Sequence, residues 1–249
     1  MNLMNCKFSK VNYSDILNAI KASITDKRPI RIIYANTKTV NLCIKNSEFQ
    51  NKINAFEIVH PDGIGVKIAS DILQKKENRF ERFNWTDHAN NFLKECESNG
   101  WSLFFIGSTT EVQKNAKEKL SINYPNLKIV GQLNGFDNLR TNSNEAICDM
   151  ISNSQADIVW VGLGTPLQEE WIYENRHNLK DISVIQSVGD IFRFLAEEKP
   201  RGSKFIQKIG LEWFVRLINE PHKYWKRTII GIPLFLFNIF RFKLMSKNQ

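Results

Sequence analysis

The stretch AFEIVHPDGIGV, residues 55–66, decides how this chain is read. Its first half, residues 55–60, is an apolar run of strand type. Its second half changes character at Pro61. Proline fixes φ and glycine accepts positive φ, so Pro61, Gly63 and Gly65 permit a sharp turn around Asp62. The next helix is expected to begin near Val66. Asp62 would then stand at the C-terminal end of a strand, the edge at which open α/β sheets bind their ligands. A carboxylate placed there can act as a general base. The competing assignment is an ordinary turn whose Asp caps the following helix.

Working outward, the same alternation recurs. Residues 29–35, 55–60, 101–107, 127–131, 156–162 and 182–189 are apolar, rich in Ile and Val, and read as strands. The segments 38–53, 66–75, 87–99, 110–122, 143–154 and 167–178 between them carry helical periodicity. Strands and helices in alternation imply an α/β fold: a mainly parallel, Rossmann-like sheet with helices on both faces.

The chain has 249 residues, 42% of them hydrophobic and 24% charged, enough for one large core or a core with an appendage. The opening MNLMNCKFSKVNYSD (1–15) has no apolar segment of signal-peptide type. Cys6, Cys43, Cys96 and Cys148 are scattered, and the four histidines do not cluster near them. Neither a zinc site nor a disulfide framework is expected, and a cytoplasmic setting fits.

Charge is unevenly placed. Residues 199–249 hold eleven Lys or Arg and only two acids, Glu212 and Glu220, whereas residues 1–198 are close to neutral. The composition changes near Glu197–Ser203, which divides the chain into a core (1–198) and a basic C-terminal appendage (199–249). Residues 203–218 are helical in pattern, with Phe205, Ile209, Trp213 and Leu217 every four positions. The apolar run Ile229–Phe240 spans twelve residues and contains Gly231 and Pro233. By itself it is too short to cross a bilayer, which takes about 20 residues. Its basic flanks and its aromatics suit the interface of an anionic membrane instead, and the alternative is a terminal helix packed on the core. No nucleic-acid-binding motif is visible.

Two further stretches carry chemistry. In VGLGTPLQEEWI (161–172), Gly162 and Gly164 close a strand, and Gln168 enters a helix. Glycine at such a turn lets a ligand phosphate approach backbone N–H groups, and Gln168 has donors and acceptors suited to sugar hydroxyls; an ordinary structural turn is the equal alternative. In GLEWFVRLINEPHKYWKR (210–227), Arg216, Lys223 and Lys226 are interleaved with large aromatics, a composition suited to phosphate.

Together these motifs resemble the WecG/TagA/CpsF glycosyltransferases, from about Pro29 to Arg227. The resemblance rests on PDGIGV (61–66), GLGTPLQEEW (162–171) and GLEWFVRL (210–217) in this order, joined by YAN (34–36), Glu81-Arg82, FIGS (105–108) and YPNLKIVG (124–131). It implies an inverting, metal-independent transfer of a hexose-type sugar (N-acetylmannosamine-like, another hexose or a uronic acid). The donor would be a UDP-sugar and the acceptor a polyprenyl-diphosphate-linked saccharide of the cell envelope. It further implies Asp62 as base, Asn36 and Gln168 as sugar or acceptor contacts, and Arg82 as a phosphate contact. An appendage carrying Arg216, Lys223 and Lys226 would close over the site at the inner face of the membrane. No cofactor is expected, and no Asp-x-Asp pair is present to carry a divalent ion. Self-association is compatible with such a fold.

The chain departs from the family pattern at Tyr34, where Thr is usual, and at Lys223 and Lys226, where Arg is usual. It has Phe192-Arg193-Phe194 for the usual F-D-F and Arg201-Gly202-Ser203 for the usual R-A-P. Arg193 in place of an acid raises the expectation of altered nucleotide contacts or an anionic donor such as a UDP-uronate. Two other classes compete. A non-catalytic, membrane-peripheral nucleotide-sugar-binding protein would bind without turnover. A nicotinamide enzyme would need a glycine fingerprint after its first strand, and PIRIIYANTKT (29–39) has no glycine.

Overall fold

A computed structural model describes residues 1–81, 83–135, 141–198 and 211–245, without the side chains of residues 216, 223 and 227. Its centre is a six-stranded sheet in which every pairing is parallel. The strands are β3 (Ile30–Ala35), β4 (Ile58–Pro61), β5 (Ser102–Gly107), β6 (Lys128–Leu133), β7 (Ile158–Gly162) and β8 (Val184–Ser187), in the spatial order β4-β3-β8-β7-β5-β6. The fold is thus α/β and Rossmann-like. All six residues of β5 and the first four of β7 are buried, because a parallel sheet is covered on both faces and its inner strands have no solvent side.

Helices α2 (Thr37–Lys45), α3 (Ser47–Asn54), α4 (Gly63–Leu73), α7 (Asn144–Asn153) and α8 (Leu167–Asn175) cover one face. Helices α1 (Tyr13–Asp26), α5 (Trp85–Asn99), α6 (Thr110–Asn123) and the short α9 (Ile191–Leu195) cover the other. The chain leaving β7 enters the first layer and the chain leaving its neighbour β5 enters the second, so the sheet has a switch point between them. Trp160 on β7 is fully buried, its ring centroid 5.6 Å from that of Phe92 and 5.7 Å from that of Phe105.

Several elements differ from the sequence expectation. The helix expected over 38–53 is two helices. Asn46 ends α2 in an extended conformation, and its side chain then accepts the N–H of Phe49 to cap α3. Helix α4 starts at Gly63 rather than near Val66, because Gly63 takes φ +80° and turns the chain at once. Helix α1, opened by a capping box on Asn12, and a small hairpin of β1 (Asn2–Leu3) and β2 (Cys6–Lys7) were not anticipated.

The appendage contains α10 (Glu212–Asn219), α11 (Pro221–Trp225), a π-helical turn (Lys226–Gly231) and α12 (Ile232–Met245). Residues 203–210 of the expected helix lie outside the described residues. The twelve-residue apolar run belongs to a longer helical stretch from Pro221 to Met245, because the wider π turn lets the helix continue into Pro233 instead of stopping there. Residues Thr228–Met245 are long and apolar enough, by length and composition alone, to cross a bilayer, which corrects the length expectation. One stripe of α12, Phe235, Asn238 and Ile239, is nevertheless buried against α2 and α4. Asn41 on α2 donates to the carbonyl of Gly231 (2.9 Å) and accepts from Asn238 (3.2 Å). The terminal helix is therefore seated on the core, with Ile229, Ile230, Leu236, Phe237, Phe240 and Leu244 left exposed.

Candidate active site

The C-terminal ends of β3, β4, β5, β7 and β8 and the first turns of α2, α4, α6 and α8 open into one cleft of about 1930 Å³. The appendage supplies the facing wall, through Glu212, Trp213, Tyr224, Lys226, Ile230 and Phe235. Four helix N-termini meet at this one opening, and the positive ends of their dipoles favour an anionic ligand there.

Asp62 lines this cleft. Pro61 is the last ladder residue of β4, an edge strand, where a missing N–H is tolerated. The Asp62 N–H donates to Ala35 (3.0 Å) and the Gly63 N–H to Phe83 (3.0 Å), so the turn is fixed by its backbone. Asp62 occupies the N-cap position of α4, yet its side chain makes no capping hydrogen bond. The assignment of this Asp as a mere cap is not what the structure shows. Gly65 is required for packing, since a Cβ there would lie 2.4 Å from Cγ2 of Thr37. Beneath the turn His60 is fully buried, its Nδ1 3.1 Å from the Pro61 carbonyl. Burial lowers its pKa to about 4, so the ring is neutral near pH 7 and donates through Nδ1.

Asn36 lines the cleft beside Asp62. Its Oδ1 accepts from the N–H groups of Lys38 (2.9 Å) and Thr39 (3.3 Å), and Thr39 Oγ1 accepts in return from the Asn36 N–H (3.3 Å). The oxygen is thus committed to capping α2, and the amide NH₂ is what Asn36 can offer a ligand. Lys38, in the same turn, lines the cleft and donates to the Thr165 carbonyl. The sequence reading passed over Lys38, although it stands two positions from Asn36.

The glycines of the GLGTP loop serve different ends. A Cβ on Gly162 would lie 2.5 Å from the Gly189 carbonyl and 2.8 Å from the ring of Phe192, so Gly162 permits two loops to close on each other. Gly164 adopts φ +78° with open space where its Cβ would be, so its backbone is reachable from the cleft. Gln168 is not at the surface. It is fully buried, its Oε1 accepts the Gly189 N–H (3.2 Å), and its Nε2 donates to Glu169 (2.8 Å). Both of its polar ends face protein partners beneath the cleft floor, because the β8 loop folds over it.

Lys226 lines the cleft from the π turn, its Nζ 5.5 Å from the ring centroid of Trp225. Arg82 lies outside the described residues, as do the side chains of Arg216 and Lys223. Arg193 also lines the cleft, but its guanidinium is held by Glu220 at 2.7 Å and Asp190 at 3.7 Å. Glu220, more than any other group, pushes the Arg193 pKa upward. Tyr224 donates to Asp190 at 3.4 Å. These four side chains join α9 to the appendage. The positive charge at 193 is therefore answered from within the chain. The partner of Arg193 is 27 residues away, and no local pattern announces it.

Comparison with known proteins agrees with this geometry. The model of the glycosyl transferase WecG/TagA/CpsF family matches residues 1–249. Among similar proteins, the N-acetylglucosaminyldiphosphoundecaprenol N-acetyl-beta-D-mannosaminyltransferase of Bacillus subtilis (strain 168) is 27% identical over 240 residues, covering 95% of this chain and 90% of the relative. Proteins of the same name from Staphylococcus aureus strains MW2 and NCTC 8325 are 28% identical over 219 residues, covering 87% of this chain and 82% of each relative. With its whole length matched, the chain belongs to the WecG/TagA/CpsF glycosyltransferase family.

Proposed function

We propose that this glycosyltransferase moves a neutral, N-acetylmannosamine-like hexose from a UDP-sugar to a polyprenyl-diphosphate-linked saccharide, with inversion and without a metal ion. The observation that carries the reading is the meeting of Asp62 and the basic appendage at one cleft on the sheet's C-terminal rim. In this reading Asp62 takes the proton of the acceptor hydroxyl as its oxygen attacks the anomeric carbon. The bond from that carbon to the UDP oxygen breaks, and UDP leaves with the electron pair. Lys38 and Lys226 face the charge that develops on the diphosphate, together with the N-termini of α2 and α8. Arg82, Arg216 and Lys223 join them by family resemblance. The acceptor class follows from the names of the relatives and from the apolar side of α12, which would rest in the inner leaflet of the membrane and bring the cleft to a lipid-linked substrate.

The test is UDP release from a panel of UDP-sugars with a short-chain polyprenyl-diphosphate N-acetylglucosamine acceptor, in buffer containing a chelator. Acceptor-dependent release from a UDP-hexose, undiminished by the chelator, is expected. Binding of donor and acceptor without release would show the non-catalytic alternative instead. Release that requires a divalent ion would overturn the metal-free mechanism.

A further inference from the structure

Glu169 is a fully buried acid that this chemistry leaves unused. It lies in the first turn of α8, under the cleft floor, and none of its atoms lines the cleft. Its Oε1 accepts two hydrogen bonds, from Thr165 Oγ1 (2.9 Å) and from Gln168 Nε2 (2.8 Å). Each donor leads on to another loop. Gln168 Oε1 accepts the N–H of Gly189 in the loop after β8, and the main-chain carbonyl of Thr165 accepts the ammonium of Lys38 after β3. One carboxyl oxygen thus sits at the node of bonds joining the rim loops after three neighbouring strands, β3, β8 and β7.

We propose that Glu169 is a positioning residue that sets the spacing of these loops, and with it the grip on the sugar-nucleotide. The proposal rests on the reading of the cleft as a nucleotide-sugar site. An apolar side chain at 169 would leave a half-buried hydroxyl and a buried amide without their acceptor, and the loops could re-space only by giving up those bonds. Glu169 touches no reacting atom, so its loss acts on binding geometry and not on proton transfer.

The test compares Glu169→Gln, Glu169→Ala and Thr165→Val, by steady-state kinetics and by amide hydrogen exchange. Glu169→Gln keeps the acceptor oxygen and is expected to keep KM and exchange near those of the unaltered protein. Glu169→Ala is expected to raise KM for the UDP-sugar by about tenfold or more with kcat largely retained. It should also speed exchange in residues 163–168 and at Gly189, and leave β5 unchanged. Thr165→Val deletes one donor and should loosen 163–168 while sparing Gly189. If the Ala variant does not fold, the contrast between Gln and Val decides. Unchanged exchange in both Ala and Val variants overturns the proposal. So does an equal loss of kcat in Gln and Ala, which would put the carboxyl in the chemistry. Exchange needs no turnover, so it judges the loop node even if no sugar transfer is found.

Discussion

Asp62 sits on a turn held by its own backbone, and α4 does not depend on its side chain for a cap. Asp62→Asn is therefore expected to fold normally and to lose about 10²- to 10⁴-fold in kcat, as removal of a general base does. Thermal melting and UDP release check the two halves, and a variant with near-normal turnover would take the base role away from Asp62. Glu169 and His60 give opposite pH signatures. Burial raises the Glu169 carboxyl from 4.5 to about 7. Its contribution to stability is then full below 4.5 and lost as pH rises through 7. Burial lowers His60 from 6.5 to about 4, so its contribution is full above 6.5 and lost as pH falls toward 4. Each effect is on the order of 3 kcal/mol at most. Urea midpoints across this range should show Glu169→Gln flattening the decline on the neutral side while the acid-side decline persists. The place of Asp62 was legible because proline and glycine beside an acid force a turn at a strand end. The burial of Gln168 was not, because it is created by Gly189, 21 residues later.

Among the elements, α2 and α4 meet closely enough that their contact has a sharp test. Gly65→Ala would place a methyl 2.4 Å from Cγ2 of Thr37, a β-branched side chain with little freedom to move. The expected loss is about 1–3 kcal/mol, measurable by chemical denaturation. Adding Thr37→Ser deletes the opposing methyl and should restore most of the loss, and a double variant no better than the single one would place the strain elsewhere. The strands were legible because buried parallel strands are apolar from end to end. The expected strand 182–189 narrows to β8 because only Val184–Ser187 finds ladder partners. The length of the terminal helix was hidden for a different reason. Gly231 and Pro233 look like a stop, and the π turn that absorbs them has no sequence signature of its own.

On the scale of the whole molecule, basic charge and exposed apolar surface coincide in the appendage. Phe237 and Phe240 are 63% and 69% exposed, so replacing both with Glu should leave the melting temperature nearly unchanged. The same pair of changes should abolish binding to anionic vesicles in flotation assays. In the unaltered protein, added salt should weaken that binding without eliminating it, since screening acts on the lysines and arginines but not on the apolar face. Vesicle binding that survives the Phe237→Glu, Phe240→Glu change would locate the membrane contact elsewhere. The contrast in charge between residues 1–198 and 199–249 was legible from the sequence alone. The way the tail is fastened was not, because Asn41 with Asn238 and Arg193 with Glu220 pair across 197 and 27 residues.

The fastening at Asn41 has a mechanical outcome. Helix α2 carries Asn36 just ahead of its first residue and Asn41 within it, and Asn41 is tied to Gly231 and Asn238. The terminal helix and the candidate site are therefore joined through one rod. If the terminal helix rests in a bilayer as proposed, a tilt imposed on it by a thin or curved membrane would move the Asn36 cap at the cleft, and catalytic rate would register vesicle curvature even at a constant surface density of acceptor.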